Sequence, residues 1–522
     1  MLFNSYQFIF IFFPVVLVVF FQLARLGHAR AAGFLALASL FFYGYWSPVY
    51  VGLLAGSIAC NYVFGSWIAK SAARGIFSRQ RLLFLAVSAN LLLLAYYKYA
   101  NFFLSSVNSM AGSHLSLREI ILPLGISFFT FTQITFLVDT YQGKVKEYSF
   151  IHYALFVTYF PHLIAGPILH HKEMMPQFAK ATTYRFSYEN MAVGCTIFFI
   201  GLFKKVVLAD GVSAYVETVF GAPAQGLQLS FIEAWVGAIS YALQLYFDFS
   251  GYSDMAIGLS RMFGVILPLN FSSPYKAVNI IEFWRCWHMT LSRFLRDYVY
   301  IPLGGNRMGA SRRYTNLMVT MVLGGLWHGA GWTFVVWGAL HGVYLAINHA
   351  WHALRRKVGQ DPQRPLSTPA HICATFLTFV SVTVAWVFFR ADSFDTALKI
   401  AAAMFGGNGL SLPDYVLPAL GEVGRWLAGQ GVPLGAGNQL GSGRQIIWIV
   451  ILLSIVCAAP NTQQLLRGYR PALDAAEGVR VPGLLIWKPQ LGWLLLISVM
   501  ALLSLAWMPG AGGESPFLYF QF

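Results

Sequence analysis

Charge is what this sequence has least of. Asp, Glu, Lys and Arg make up only 11% of its 522 residues, against about 25% in an ordinary soluble domain. Hydrophobic residues make up 57%. That balance excludes a string of soluble domains and defines an all-α integral membrane protein. Cysteine is scarce too. The five, Cys60, Cys195, Cys286, Cys373 and Cys457, are scattered without Cys-x-x-Cys spacing. Neither a disulfide framework nor a zinc site is implied, and no metal is expected. Four of them lie in apolar runs, where cysteine acts as a small hydrophobe. There is no P-loop, no dinucleotide fingerprint and no Gly-x-Ser-x-Gly elbow, so nucleotide and serine-hydrolase chemistry lack their motifs. No internal repeat is evident, which weighs against a transporter built from repeated halves. The opening MLFNSYQFIFIFFPVVLVVFF has no basic n-region or small-residue cleavage site. It reads as a retained first helix rather than a signal peptide.

The charge that is present is lopsided, with 35 Lys+Arg against 20 Asp+Glu and a net +15. It sits in short clusters between apolar runs, such as Lys70, Arg74, Arg79 and Arg81, or Arg355, Arg356 and Lys357. That is the pattern of positive-inside loops rather than of a nucleic-acid surface. Membrane lipids are the expected surroundings and no nucleic acid is an expected partner. Apolar runs at 7–24, 32–46, 49–69, 82–107, 120–140, 151–169, 190–209, 229–247, 314–328, 331–352, 370–390, 446–460 and 490–508 predict about 10–13 helices, some of them re-entrant or interfacial. Basic loops after the first helices and before the last put both termini on the outer face. The chain reads as one membrane-embedded domain over 1–522, with core motifs in 122–345. A Gly/Pro-rich loop follows at 406–445, with a possible interfacial helix at 415–428, and 509–522 forms an aromatic tail.

Three stretches could carry chemistry. In "NFSSPYKAVNIIEFWRCWHMTLSRFLRDYVYIPLG", residues 270–304, helical spacing puts Trp284, His288, Leu291 and Leu295 on one face with Trp287 beside it. Arg285, Arg293 and Arg296 lie around the other side. This predicts an amphipathic helix on the cytoplasmic surface, with His288 on its aromatic face. In "VLGGLWHGAGWTFVVWGALHG", residues 322–342, His328 stands in nearly pure hydrophobe. An ionisable group so placed is costly and reads as functional by default. Gly324, Gly325, Gly329 and Gly331 around it allow close helix packing or leave room for a substrate chain. His341 reads first as a polar packing residue. In "LQLYFDFSGYSDMAIGLSRMFG", residues 243–264, Asp248 and Asp254 flank Ser250, Tyr252 and Ser253. These acids need partners, which Arg261 or Arg285 could supply, and a structural ion pair is the stronger reading. Two histidines without a metal signature or a nucleophile motif fit acyl transfer to a hydroxyl. A neutral imidazole takes the hydroxyl proton as the alcohol attacks a thioester.

The motifs "LPLGISFFTFTQITFLVD", "FPHLIAGPI", "LQLYFDFSGYSDMAIG", "FWRCWHMTLSRFLRDYVYIPLGGNR" and "GGLWHGAGWTFVVWGALHG" run in order through the chain. With the opening MLFNSYQFIFIFFPVVL, they resemble the membrane-bound O-acyltransferase family, in the bacterial branch that includes alginate O-acetyltransferase. The resemblance implies helices around a central tunnel, with His328 as the family's catalytic histidine and His288 at its second active-site position. Trp327, Asp248, Ser250, Arg296 and Asp297 would support the pair or line the tunnel. No bound cofactor is implied. The donor would be acetyl-CoA or another acyl thioester, entering from the cytoplasm. The acetyl group would cross the bacterial inner membrane to a separate extracytoplasmic acetyltransferase acting on alginate, cellulose or peptidoglycan. Cys286 stands where relatives often carry a second arginine; of an acylation site and a tolerated substitution, the second is the stronger reading. The tail "PFLYFQF" resembles the end of relatives in this branch and the C-terminal motif of a companion protein in D-alanyl transfer to teichoic acid. It reads either as an interfacial anchor or as a segment that folds inward, with Tyr519 accepting the acyl group. Two other classes compete: a transporter or flippase of an acylated carrier, and a structural subunit of an assembly complex. The histidines in apolar surroundings favour the enzyme.

Overall fold

Apolar length decides where this chain is helical. In the computed structural model, which describes residues 1–74, 78–116, 120–145, 149–164, 166–361, 364–411, 417–429, 444–473, 482–508 and 515–518, each expected apolar run falls on helical structure, and no strand occurs among the described residues. Five helices there are long and apolar enough to cross a membrane: Phe8–Leu26, Pro48–Ser71, Arg79–Ala111, Tyr188–Gln225 and Thr368–Arg390. The expected helix at 120–140 starts late, at Ile126, because Pro123 and the left-handed Gly125 (φ 69°) precede it. The run at 151–169 breaks at Tyr159 into two short helices. The run at 229–247 continues instead through its polar residues as one 32-residue helix, Phe231–Met262.

The chain divides into two compact units. The first comprises 1–203, 251–270 and 462–522. Its core is aromatic: the Phe8 ring meets Phe3, Phe12, Phe42 and Phe160 within 4.9 to 6.1 Å. Helix Tyr188–Phe203 lies so close to the end of Phe231–Met262 that a Cβ on Gly258 would stand 2.6 Å from the Gly194 carbonyl oxygen. The second unit comprises 204–250 and 271–461. It holds the helices Gly309–His328 and Trp332–Lys357, which form a tight hairpin, and Thr368–Arg390 packed against the second of them. The interfacial helix expected at 415–428 corresponds to Leu417–Gly429, interrupted at Gly421. Residues 412–416 and 430–443 of the loop expected at 406–445 lie outside the described residues, as does Tyr519.

Candidate active site

The apolar stretch 322–342 is not one span. Helix Gly309–His328 ends at His328, Gly329 and Gly331 are extended, and Trp332–Lys357 begins. The imidazole therefore sits at a helix C-terminus, where the helix dipole stabilises positive charge. It is buried, with Trp327, Trp337 and Phe389 rings at 4.9, 5.1 and 5.1 Å. The glycines serve close packing. A Cβ on Gly325 would collide with the Phe334 carbonyl, one on Gly329 with the Phe334 ring, and one on Gly338 with the Met321 carbonyl. The alternative of substrate room fails at Gly325 and Gly329, because Phe334 fills that space.

His288 is placed by a break, and this corrects the single amphipathic helix expected there. Helix Ile280–Cys286, capped by the Asn279 side chain accepting from the Glu282 N–H at 2.9 Å, stops at Trp287. Met289–Leu295 then restarts beyond His288. The Cys286 carbonyl accepts from the Ser272 N–H at 3.0 Å, an acceptor lost to helix continuation. His288 itself is left-handed, φ 40° and ψ 55°, a conformation that costs a non-glycine residue about 1–3 kcal/mol. The division of faces survives the break. Trp284, Trp287, His288, Leu291 and Leu295 are buried while Arg285 and Arg296 are exposed.

The two imidazoles come together. Their ring centroids are 6.4 Å apart at 62°, and Trp327 packs on both. The edge-on Phe249 ring, 4.8 Å away, braces His288 from the other side. Neither His288 ring nitrogen has a hydrogen-bond partner among the described residues. Burial pushes this imidazole down to about 3, so it stays neutral at any ordinary pH.

The acids behave otherwise than expected. Asp248 pairs with neither Arg261 nor Arg285. Lys205 Nζ lies 2.7 Å from Asp248 Oδ1 and 2.8 Å from Asp210 Oδ1. Asp254 accepts from the Thr462 hydroxyl at 2.6 Å, and Arg261 reaches Glu189 and the Tyr469 carbonyl. Arginine could not serve Asp248 because Arg285 points outward. Ser250 is buried, and its Oγ has no hydrogen-bond partner among the described residues. Arg296 and Asp297 are not brought to the histidines: they pair with each other at 2.7 Å, with Arg296 61% exposed. His341 is a packing residue at its Nδ1, which accepts from Trp284 Nε1 at 3.2 Å. Burial pushes the Cys286 thiol up to about 11, which leaves little thiolate to be acylated. The described start of the tail folds inward: Phe517 and Leu518 are buried, and Phe517 stacks on Tyr252 at 4.8 Å. That excludes the interfacial anchor for these two residues. Sequence reading passed over Lys205 and Phe249. The signal for Lys205 was available, since "GLFKKVVLA" places lysines inside a long apolar run.

A neutral, desolvated imidazole beside a second one in an aromatic shell is equipped to move a proton and orient a polar group, and the helical spans around it define a multi-pass membrane protein. A family model described as MBOAT, membrane-bound O-acyltransferase family, matches residues 16–389, and the chain belongs to that family. It is similar to a peptidoglycan O-acetyltransferase of Helicobacter pylori, 45% identical over 79% of this chain and 81% of the relative. It is also similar to a probable alginate O-acetylase, AlgI, of Azotobacter vinelandii, 38% identical over the whole of both chains. A protein of the same name from Pseudomonas aeruginosa is 42% identical over 78% of this chain and 75% of the relative. The chain is thus an acyltransferase, and the transporter and structural-subunit readings give way.

Proposed function

We propose that this enzyme takes an acetyl group from a cytoplasmic thioester, acetyl-CoA, and passes it across the bacterial inner membrane for O-acetylation of an exported polysaccharide. The names of the relatives support the acetyl group and the polymer, of alginate or peptidoglycan type. Cellulose is the further candidate. The observation that carries the chemistry is the pair of buried imidazoles, His288 and His328, 6.4 Å apart. His328 acts as the base. It takes the acceptor hydroxyl proton as that oxygen attacks the thioester carbonyl, the new C–O bond forms, the C–S bond breaks, and the proton goes on to the departing thiolate. His288, held neutral, donates its one N–H to the carbonyl oxygen as charge builds there. Trp327 fixes the two rings. Tyr519 is the proposed relay, taking the acetyl group as an ester and offering it to an extracytoplasmic acetyltransferase. The inward course of Phe517 and Leu518 supports that direction for the tail.

His328→Ala in membrane vesicles given labelled acetyl-CoA should lower transfer by about 10²–10⁴-fold, with insertion unchanged. Transfer at the wild-type rate sinks the assignment. Mass spectrometry of the C-terminal peptide should find acetyl on Tyr519 when the partner is missing, and full export by Tyr519→Phe ends the relay idea.

A further inference from the structure

Lys205 stands inside a spanning segment, and the family chemistry proposed above gives it no task. The span Tyr188–Gln225 contains a π-turn at Lys204–Ala209. Such a turn carries an extra residue and re-aims the side chains around it, and it often marks a functional site. Here Lys205 is turned into the protein, 2% exposed, 2.7 Å from Asp248 and 2.8 Å from Asp210. Asp248, 1% exposed, lies on Phe231–Met262 directly before Phe249. Phe249 is the ring set edge-on against His288 at 4.8 Å. Because no hydrogen bond within the described residues holds the His288 ring, packing by Phe249, Trp327 and its own strained backbone must orient it.

A buried ion pair is weak ground for stability. Replacing one by well-packed apolar residues is often neutral or stabilising. What this pair does supply is a fixed register: a charge-to-charge contact tolerates little sliding or rotation of the Asp248 helix against the π-turn. We propose that the Lys205–Asp248 pair is a positioning device for the active site, locking Phe249 and through it the imidazole of His288. This rests on the reading of His288 as an active-site group. Lys205 and Asp248 are positioning residues that act on His288 through Phe249.

The test uses full-length protein in vesicles with a labelled acetyl thioester. Asp248→Asn keeps the shape, and Lys205 keeps Asp210. It should lower kcat by about 10- to 100-fold, the cost of misplacing a group by about an ångström, with donor KM within about twofold. Lys205→Met/Asp248→Leu, apolar on both sides, should melt no lower than wild type and still show the loss in kcat. Phe249→Leu should reproduce it. In a His288→Ala background, Asp248→Asn should cost nothing further. Wild-type kcat in Asp248→Asn overturns the proposal, as does an additive loss in the His288→Ala background. If His288→Ala itself transfers normally, the active-site reading has failed first, which is a separate outcome. Should the double apolar variant not insert, a ring-nitrogen shift of labelled His288 that is the same in wild type and Asp248→Asn is enough to reject the device.

Discussion

His288 carries two costs at once, a left-handed backbone and complete burial of a polar ring. Both have consequences. A β-branched residue is a severe outlier at positive φ, whereas Asn tolerates it. His288→Asn should therefore insert and melt near wild type, and His288→Ile should be destabilised by about 1–2 kcal/mol or more, read as the detergent melting temperature. The pH dependence follows from the same burial. The folded imidazole titrates near 3 and the unfolded one near 6.5. Between those values the unfolded chain binds the extra proton, so stability falls as pH drops from 6.5 toward 3, by up to about 1.4 kcal/mol per pH unit. His288→Asn should remove that component of the acid-side loss. An equal pH slope in both proteins would contradict it.

At the scale of elements, the hairpin of Gly309–His328 and Trp332–Lys357 depends on missing side chains. Gly338→Ala sets a Cβ against the Met321 backbone, which cannot yield as a flexible side chain would. The expected cost is about 1–3 kcal/mol of overpacking, with loss of transfer as His328 is displaced. Gly331→Ala is the matched control. Its nearest neighbours are side-chain atoms at 3.5 Å or more, and its backbone is extended. It should stay within about 0.5 kcal/mol of wild type. If thermal melts place both variants together, tight packing is not what the glycines supply. The pair Ile280–Cys286 and Met289–Leu295 shows how periodicity misleads. Helical spacing marked Trp284, His288, Leu291 and Leu295 as buried, which they are, yet no spacing rule could reveal that the Ser272 N–H claims the Cys286 carbonyl and ends the helix.

At the scale of the whole molecule, the enzyme's proposed activity has a direction across the membrane to be tested. Purified protein in sealed vesicles, with labelled acetyl-CoA on one side and a soluble hydroxyl acceptor on the other, should label the acceptor. His328→Ala vesicles of equal leakiness should not. Label appearing only when both substrates share a compartment would restrict the enzyme to one face. The chain's class and its helical segments were legible in the sequence because burial in lipid is demanded of each segment separately, by length and composition. His328 stood out for the same reason, since an ionisable group in an apolar run is conspicuous without any partner being known, whereas His288 stood out by its place on the aromatic face of an amphipathic segment. Partnership was not legible. Asp248 had Arg261 nearer, within its own motif, and only tertiary packing turned Lys205 inward through a π-turn to meet it. The glycines beside His328 left packing and substrate room equally open until Phe334 was seen to fill the gap. Composition and local period determined what kind of protein this is. Contacts between residues far apart in the chain decided how His288 is held, because a buried charge or an extended turn is settled by whatever neighbour the fold delivers.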